Sequence, residues 1–463
     1  MEHTIAELHQ LQTLPLKDKI TMTRERIKAW VDHFGVENTA ISFSGGKDST
    51  VLLDIARQDF PDIEAVHVNT GLEFPEIEDF VKSYSNVTIL RPKMNFVDVI
   101  RKYGYPMISK EVSETVMGAR KYLTGIVEQQ KSLTDRQTDR QTDGQYRYRY
   151  DKITGQGRYL PIRVQQAMRT GQVSQEILRG GTTGNTEELE ELETLMRADF
   201  KNGKGQVYRT ARLMGWLTRN NQIKANIPDK DYSAYSLERY KFFLDAPFEI
   251  SNRCCNVMKK APAKSYHKKM ITAQMARESR LRTQTWLQNG CNAFNAKVPI
   301  SNPMSFWTEQ DVLLYTRRYE LPIASVYGEV VTDDEMIGQL NFDDICNLGL
   351  FDLENCELHT TGCDRTGCVF CGYGCHIEKK SRFALIDEVS NPALRDFCMR
   401  GGAFDTDGLW KPDNRGLGYW FVLRWINLFG NFNIHIPEYV RYEKEYGNEL
   451  TRKYLLKEDN NGI

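Results

Sequence analysis

The chain has 463 residues, and 61 lysines and arginines stand against 62 aspartates and glutamates, so the net charge is −1. This balance does not indicate a polyanionic partner, although it is compatible with a local basic groove. No run of 18 apolar residues occurs, and the first residues lack the pattern of a secretory signal. We therefore expect a cytoplasmic protein with no membrane contact, large enough for two or three domains.

Helices and strands alternate in the first part of the chain. The pattern predicts a helix at 16–34, a strand at 39–43, a helix after Ser49, a strand at 63–68, a helix from Pro75, a strand at 86–90 and a helix at 96–103. Alternation of this kind predicts an α/β fold with a doubly wound parallel sheet. In such sheets ligands bind at the carboxyl ends of the strands.

A glycine-rich segment joins the first predicted strand to its helix. It reads S-G-G-K-D-S-T and comprises Ser44, Gly45, Gly46, Lys47, Asp48, Ser49 and Thr50. Glycines let the backbone approach an anion, and a helix N-terminus attracts it. The spacing differs from the G-x-x-x-x-G-K-[ST] pattern of the mononucleotide P-loop. The segment predicts a phosphate cradle, and the alternative is an ordinary Gly-Gly turn.

The middle of the chain is less regular. Three polar, near-identical tetrapeptides fill residues 134–145 and predict a disordered insert. The Y-R-Y-R-Y run at 146–150 has the chemistry to stack on nucleobases, and an exposed hairpin strand is the alternative. Residues 161–245 have a mainly helical pattern, including an acidic helix at 187–197. The aromatic-rich tail after residue 391 indicates packing, a lid or an interface.

The cysteines are unevenly placed. Cys254 and Cys255 are adjacent, and a later group follows the spacing C-x4-C-x2-C-x3-C with Cys363, Cys368, Cys371 and Cys375. In a cytoplasmic chain such cysteines are expected to be thiols or metal ligands rather than a disulfide framework. A C-x2-C pair among glycines lets two thiolates converge on one metal, and the spacing leaves iron, zinc or no metal open.

The glycine-rich segment resembles the PP-loop of ATP pyrophosphatases, also called adenine nucleotide alpha hydrolases. Three further blocks, at 69–76, 254–262 and 273–312, resemble those of phosphoadenosine phosphosulfate reductases. The matching residues in the last block are Glu278, Ser279, Arg282, Trp307 and Asp311. The chain departs from that family at Asn69, where Asp is usual, and at Ala273 and Met275, where Gly and Arg are frequent.

The resemblance implies a nucleotide site and its residues. Binding residues would be Ser44, Gly45, Gly46, Lys47, Asp48, Ser49, Thr70, Gly71, Glu278, Ser279 and Arg282. Lys47 would stabilise charge as the bond between the α- and β-phosphates breaks. Asp48 would orient the loop or hold Mg²⁺. The nucleotide would be ATP or a phosphosulfate nucleotide.

The resemblance also implies an iron–sulfur centre. In iron–sulfur members of the reductase family a C-C pair and a distant C-x2-C pair hold a four-iron cluster. The corresponding pairs here are Cys254 with Cys255 and Cys368 with Cys371, while Cys363 and Cys375 are additional candidate ligands. Structural zinc is the alternative.

Cys356 begins the sequence C-E-L-H, which resembles the C-G-L-H motif of sulfonucleotide reductases. In that motif the cysteine attacks sulfur and is later released by thioredoxin. Here the motif is internal and carries Glu357 in place of glycine. Cys356 is therefore a candidate catalytic nucleophile, with a buried structural cysteine as the alternative.

Three functions remain open. The first is an ATP pyrophosphatase that adenylylates an acceptor for sulfur transfer, similar to the sulfurtransferase of bacterial DNA phosphorothioation. Its acceptor would be DNA, RNA or a small molecule, and a cysteine desulfurase or a thioredoxin-like protein would be its partner. The second is a phosphoadenosine or adenosine phosphosulfate reductase that releases sulfite. The third is a regulator that binds a nucleotide without catalysis.

The sequence divides into six predicted parts. They are an N-terminal helix at 1–35, a nucleotide-binding core at 36–128, a disordered and helical insertion at 129–240, a continuation of the core at 241–330, a cysteine-rich region at 331–390 and a tail at 391–463.

Overall fold

A computed structural model describes residues 3–134, 146–150, 157–161, 196–198, 200, 205–225, 235–333, 356–377, 382–388, 392–406 and 408–447. The tetrapeptide repeats after Thr134, nearly all of the predicted acidic helix at 187–197 and Cys346 lie outside these residues. No described helix is both long enough and apolar enough to cross a membrane.

Helices account for much of the described chain. In order they are α1 (Ile5–Gln12), α2 (Leu16–Phe34), α3 (Lys47–Asp59), α4 (Pro75–Lys82), α5 (Phe96–Tyr103), α6 (Lys110–Thr134), α7 (Gly205–Leu213), α8 (Arg253–Cys255), α9 (Ala261–Ser265), α10 (Arg280–Asn289), α11 (Glu309–Arg318), α12 (Arg382–Glu388), α13 (Pro392–Met399), α14 (Tyr419–Gly430) and α15 (Tyr439–Tyr446). Short 3₁₀ turns lie at Val36–Asn38, Glu238–Asp245, Ala276–Glu278 and Ser325–Tyr327, and a π turn joins α8 to α9 at Asn256–Lys260.

The strands are short. In order they are β1 (Thr39–Ser42), β2 (Glu64–Val68), β3 (Val87–Leu90), β4 (Met107–Ile108), β5 (Tyr146–Tyr150), β6 (Gly157–Pro161), β7 (Lys269–Ile271), β8 (Asn292–Ala293), β9 (Ile300–Ser301), β10 (Val330–Thr332), β11 (Leu358–Thr360), β12 (Gly372–Tyr373), β13 (Ala403–Phe404) and β14 (Trp410–Lys411).

The chain divides into two compact units. The first comprises residues 1–96 and 255–369, and the second comprises residues 97–254 and 370–463. The boundaries of the six parts expected from the sequence remain predictions.

The first unit is built on a six-stranded sheet in the order β3-β2-β1-β7-β9-β8. All neighbouring strands are parallel except β8, which runs antiparallel to β9 at one edge. The β1–β2 register pairs Ile41 with Ala65. Because β1 is covered on both faces, its residues Ala40 and Ile41 are fully buried, as expected for a parallel strand between layers of helices.

The predicted alternation of strands and helices is confirmed for the first unit. Helix α2 begins at Leu16 and ends before Gly35, whose φ of +83° stops the helical path. Helix α4 begins with Pro75 at its first position, where the missing proline N–H costs nothing. The mixed α/β architecture therefore follows from local sequence signals, and only the antiparallel edge strand differs from a purely parallel sheet.

The second unit is mainly helical. Arg120 on α6 donates hydrogen bonds of 2.7 Å to the carbonyls of Phe243 and Phe248, which ties α6 to the segment around the 3₁₀ turn. Helix α14 is apolar on nearly every side and is buried, as the aromatic-rich sequence after residue 391 predicts for packing. Strands β5 and β6 pair antiparallel, which agrees with the hairpin alternative for residues 146–150.

Candidate active site

The S-G-G-K-D-S segment forms a tight turn at the carboxyl end of β1 and opens helix α3. The Ser49 hydroxyl accepts a hydrogen bond of 3.1 Å from the Ser44 N–H and lies 3.0 Å from the Ser44 hydroxyl. It also donates to the carbonyl of Gly46 at 2.9 Å. These contacts fix the curvature of the turn, so the two serines hold the loop in shape at the helix N-terminus.

Gly45 is required by both conformation and space. Its φ is +75°, and an added Cβ would lie 2.8 Å from methyl groups of Ile77 and Val81 on α4. At Gly46 an added Cβ would lie 3.2 Å from the Tyr327 hydroxyl and 3.4 Å from the Thr366 hydroxyl. The backbone of this turn is therefore closely approached by side chains from distant parts of the first unit.

Lys47 is the first residue of α3 and is only 4% exposed. Its ammonium lies 2.9 Å from Oε1 of Glu309 and donates to the Asp364 carbonyl at 2.8 Å. Burial lowers the pKa of Lys47, but the carboxylates of Asp48 and Glu309 raise that pKa more, to above its ordinary value. The side chain is therefore a fixed positive charge beside the turn.

Asp48 follows on the same helical turn. Its Oδ1 atom is buried and has no hydrogen-bond partner among the described residues. Burial raises the pKa of Asp48, and nearby Glu278 and Glu309 add to this effect, while Lys47 and Arg365 oppose it. An orphaned carboxylate oxygen beside a lysine and two further carboxylates is suited to bind a cation.

The T-G turn predicted to lie beside the nucleotide follows β2. Gly71 has a φ of +71°, and its N–H donates to the Asn69 side chain at 2.8 Å, so asparagine serves as the turn acceptor here. The N–H and hydroxyl of Thr70 both donate to the carboxylate of Glu73. Glu73 lies 3.6 Å from the ammonium of Lys259, in the C-C-x-x-x-K block. Two of the predicted blocks therefore meet in the first unit.

The third predicted block has largely local roles. Ser279 caps α10 by accepting from the Arg282 N–H at 3.3 Å, and Arg282 forms an ion pair with Glu278. Glu278 also accepts from the Met275 N–H at 3.0 Å. Among these residues, Glu278 contributes a negative charge that raises the pKa of Asp48. Its position therefore agrees best with the predicted site.

Trp307 and Asp311 have structural contacts. The indole N–H of Trp307, which is fully buried, donates to the Thr23 hydroxyl at 2.9 Å. Asp311 closes the capping box of α11 and lies 2.7 Å from the ammonium of buried Lys19. This block therefore fixes α11, whose first residue, Glu309, reaches Lys47.

Several residues at the turn were not predicted from the sequence. The Tyr327 hydroxyl accepts from the Lys47 N–H at 3.3 Å and lies 2.6 Å from the Thr366 hydroxyl. Its ring lies 5.5 Å from the Lys47 ammonium. Tyr327 lies in no recognised motif, Glu309 lies at an unmatched position of the block at 273–312, and Thr366 lies within a motif that pointed to a metal.

Cys255, Cys363 and Cys368 lie in the first unit. The charges of Cys368 and Cys255 both raise the pKa of Lys259, and the Lys259 side chain is hydrogen-bonded to Cys368. Burial lowers the pKa of Lys259, but Cys368, Glu73 and Cys255 hold it above its ordinary value. Burial raises the pKa of Cys368, although Lys259 opposes this. Two predicted ligands are thus gathered at one ammonium.

Cys254, Cys371 and Cys375 lie in the second unit. Cys254 and Cys375 are buried, and Cys371 is half-buried. Cys371 and Cys254 are both close enough to Tyr419 to affect its pKa, which burial raises well above the ordinary value. The Tyr419 hydroxyl donates to the Phe370 carbonyl at 2.8 Å and so orients the chain just before Cys371.

Cys356 is half-buried and lies two residues before β11. The side chain of Gln310 on α11 exchanges two hydrogen bonds, of 3.0 and 2.9 Å, with the backbone of Leu358 in β11. Gln310 directly follows Glu309, so the C-E-L-H segment is attached to the helix that contacts Lys47. One group of three potential metal ligands within 4.8 Å occurs among the described residues, namely Asp333, Glu357 and His359, and it contains no cysteine.

A parallel sheet with this turn at the end of its first strand defines an α/β protein with a phosphate-binding loop. The model of the phosphoadenosine phosphosulfate reductase domain matches residues 38–142 and 210–373, more than half of the chain. The chain belongs to this family, whose members are generally enzymes.

One relative gives a shorter match. A segment of 101 residues is 37% identical to the uncharacterized protein MJ0973 of Methanocaldococcus jannaschii. The aligned segment covers 19% of this chain and 24% of that protein, so the chain spans about a quarter of its relative.

Proposed function

We propose that this protein is an ATP pyrophosphatase that adenylylates an acceptor and couples this step to sulfur transfer. The observation that carries the proposal is the phosphate loop with its buried, charged Lys47 and the orphaned Asp48 oxygen at the N-terminus of α3. A lysine and a helix N-terminus bind polyphosphate, and a carboxylate beside them has the chemistry to hold Mg²⁺.

The reaction proposed at this loop is an in-line displacement. An acceptor oxygen forms a bond to the α-phosphorus, and the bond from that phosphorus to the oxygen of the β-phosphate breaks. Pyrophosphate leaves with the electron pair, and Lys47 stabilises its charge. A sulfide or persulfide sulfur, supplied by a partner protein, then forms a bond to the acceptor as the bond to AMP breaks. With a persulfide, the disulfide that results is cleaved by a dithiol reductant, which releases the sulfur-bearing acceptor. DNA, RNA and small molecules are the candidate acceptors.

A four-iron cluster on Cys254, Cys255, Cys368 and Cys371 is part of the proposal, with zinc as its alternative. Within the first unit, the side chain of Lys259 is hydrogen-bonded to Cys368, and the charge of Cys255 also acts on this ammonium, so two of the four proposed ligands lie near one positive charge. Thiolates are the ligands that iron–sulfur clusters and structural zinc require. When bound, the cluster would supply sulfur or electron transfer, and Cys363 and Cys375 are additional candidate ligands.

A phosphosulfate reductase is the second candidate because the C-E-L-H strand is attached through Gln310 to the helix that contacts Lys47. In that reaction the Cys356 thiolate would attack the sulfur of the substrate. The new S–S bond would form as the bond from sulfur to the phosphate oxygen breaks, and a dithiol reductant would then release sulfite.

The two candidates are separated by their products. We would incubate anaerobically purified protein with ATP, Mg²⁺ and candidate acceptors, starting with DNA, and follow AMP and pyrophosphate. A parallel reaction would contain phosphoadenosine phosphosulfate and a dithiol, with sulfite as the readout. AMP and pyrophosphate support the sulfurtransferase proposal, and sulfite supports the reductase and assigns Cys356 as nucleophile. Nucleotide binding without either product supports the regulator.

Lys47→Ala is expected to reduce the observed reaction at least about a hundredfold, because the loop loses its charge on the leaving group. The matched control is Lys82→Ala, which removes a lysine that is 57% exposed on α4 of the same unit. Full activity in Lys47→Ala would remove the phosphate loop from the mechanism.

A further inference from the structure

One short segment of the cysteine-rich region contacts the phosphate loop. This segment, residues 363–368, is called here the capping segment. The carbonyl of Asp364 accepts from the Lys47 ammonium at 2.8 Å, and the Thr366 hydroxyl lies 2.6 Å from Tyr327, which itself accepts from the Lys47 N–H. Arg365 lies between these two contact residues.

The capping segment is held at both ends by hydrogen bonds of its backbone and side chains. Cys363 donates from its N–H to the Val326 carbonyl at 3.0 Å, and its thiol donates to the Arg365 carbonyl at 2.9 Å. At the other end, Cys368 is hydrogen-bonded to Lys259. These bonds fix the backbone around Arg365, whereas the Arg365 side chain is exposed.

Two cations near the loop, Lys47 and Arg282, are each paired with a carboxylate. Lys47 already lies 2.9 Å from Glu309, and Arg282 is paired with Glu278. Asp48, Glu278 and Glu309 together would repel a polyphosphate. Arg365 is an exposed cation, and its two chain neighbours contact Lys47 and Tyr327 at the loop. A guanidinium presents a planar pair of donors that matches two oxygens of a phosphate.

We propose that Arg365 binds the anionic group beyond the α-phosphate of the nucleotide and thereby determines preference for ATP over AMP. This proposal rests on the proposed function of the phosphate loop. In it the capping segment contributes to substrate selection through Arg365, in addition to any role of its two cysteines. Arg365 is a specificity residue for the pyrophosphate group, and Lys47 remains the residue at the bond that breaks.

The test is calorimetric binding of ATP, AMP and inorganic pyrophosphate to the full-length protein without an acceptor. Arg365→Ala is expected to weaken the binding of ATP and pyrophosphate about tenfold to a hundredfold, the usual effect of losing a charge-assisted contact. AMP binding should change less than about threefold, because AMP lacks the group that Arg365 contacts. Arg365→Lys should be intermediate, because lysine keeps the charge but loses the paired donors.

The matched control is Arg318→Ala, which removes an exposed arginine at the opposite end of α11, about 14 Å along the helix from Glu309. Equal ATP affinity in Arg365→Ala and wild type would overturn the role of Arg365 and leave the phosphate loop in place. An equal loss for ATP and AMP would also overturn it, because it would indicate a general structural effect. If the wild-type protein binds none of the three probes, both proposals fail.

Discussion

At the scale of single residues, the candidate site combines a buried lysine that is paired with carboxylates and a buried aspartate that is incompletely hydrogen-bonded. Lys47 keeps its charge although it is buried, because Glu309 and Asp48 lie beside it. The burial of Asp48 is energetically unfavourable, because one of its oxygens is buried without a hydrogen-bond partner among the described residues. Such a cost is typical of a residue kept for function rather than for stability.

Asp48→Asn is expected to raise the thermal midpoint at pH 7. The pKa of Asp48 is higher in the folded protein than its ordinary value of 3.8, mainly through burial. The protonated carboxyl therefore favours folding at pH below that ordinary value, and this stability is lost as the pH rises through the folded-state pKa. The neutral amide introduced by Asp48→Asn does not ionise and so does not lose this stability. The difference in thermal midpoint between Asp48→Asn and the wild type should therefore become smaller as the pH is lowered.

The control for this substitution is Asp79→Asn, which changes a carboxylate that is 78% exposed on α4. Its midpoint should follow that of the wild type at every pH. Asp48→Asn should also lose nucleotide chemistry. A lower midpoint at pH 7 for Asp48→Asn would show that the carboxylate stabilises the fold, contrary to this account.

At the scale of elements, α11 connects two parts of the candidate site. Its first residue, Glu309, contacts Lys47, and its second, Gln310, exchanges two hydrogen bonds with Leu358 in β11. Because β11 has only three residues and pairs with the equally short β10, these side-chain bonds are a large share of what holds it. The position of the C-E-L-H segment thus depends on a helix that begins near the phosphate loop.

Gln310→Ala is expected to loosen β11 locally. The loss of two hydrogen bonds corresponds to about 1–3 kcal/mol, which is about tenfold to a hundredfold less protection of the Leu358 amide against hydrogen exchange. Gln58→Ala, which removes a hydrogen bond of 3.1 Å to Tyr315 outside this strand, is the control. Unchanged exchange at Leu358 would show that β11 is held by its pairing with β10 alone.

At the scale of the whole molecule, the six candidate cysteine ligands are distributed over both units. Cys255, Cys363 and Cys368 belong to the first unit, and Cys254, Cys371 and Cys375 to the second. The adjacent pair at 254–255 and the C-x2-C pair at 368–371 each fall across a unit boundary of the chain. The ligand set is therefore tested one cysteine at a time in the full-length chain.

Protein purified without oxygen is expected to be brown and to contain iron and acid-labile sulfide. Cys255→Ser and Cys368→Ser should each lose most of the iron, because each removes a thiolate ligand. Cys398→Ala should retain iron, because that cysteine is fully buried on α13 and lies outside the proposed ligand set. A colourless protein with stoichiometric zinc would contradict the cluster and support the zinc alternative.

The sequence by itself determined the local structure of the first unit. Helix α2 and the start of α4 lie where periodicity and Pro75 predict them, and α5, nearly all of which belongs to the second unit, also lies where it is predicted. The phosphate loop was also recognisable, because glycine at φ +75° and serine bonds within the turn are local requirements. The family match over residues 38–142 and 210–373 agrees with the resemblance drawn from these motifs.

Only the tertiary structure decided what surrounds Lys47. Tyr327 lies 280 positions after Lys47 and Asp364 lies 317 positions after it, yet both contact it. Such contacts leave no periodic trace in the sequence, because they depend on the order in which strands join the sheet. The block at 273–312 illustrates the same limit, since its Asp311 matches the family pattern in the sequence, but only the structure shows that Asp311 pairs with buried Lys19. Local geometry is encoded by neighbouring residues, whereas the charge and shape of the site arise from segments that folding brings together.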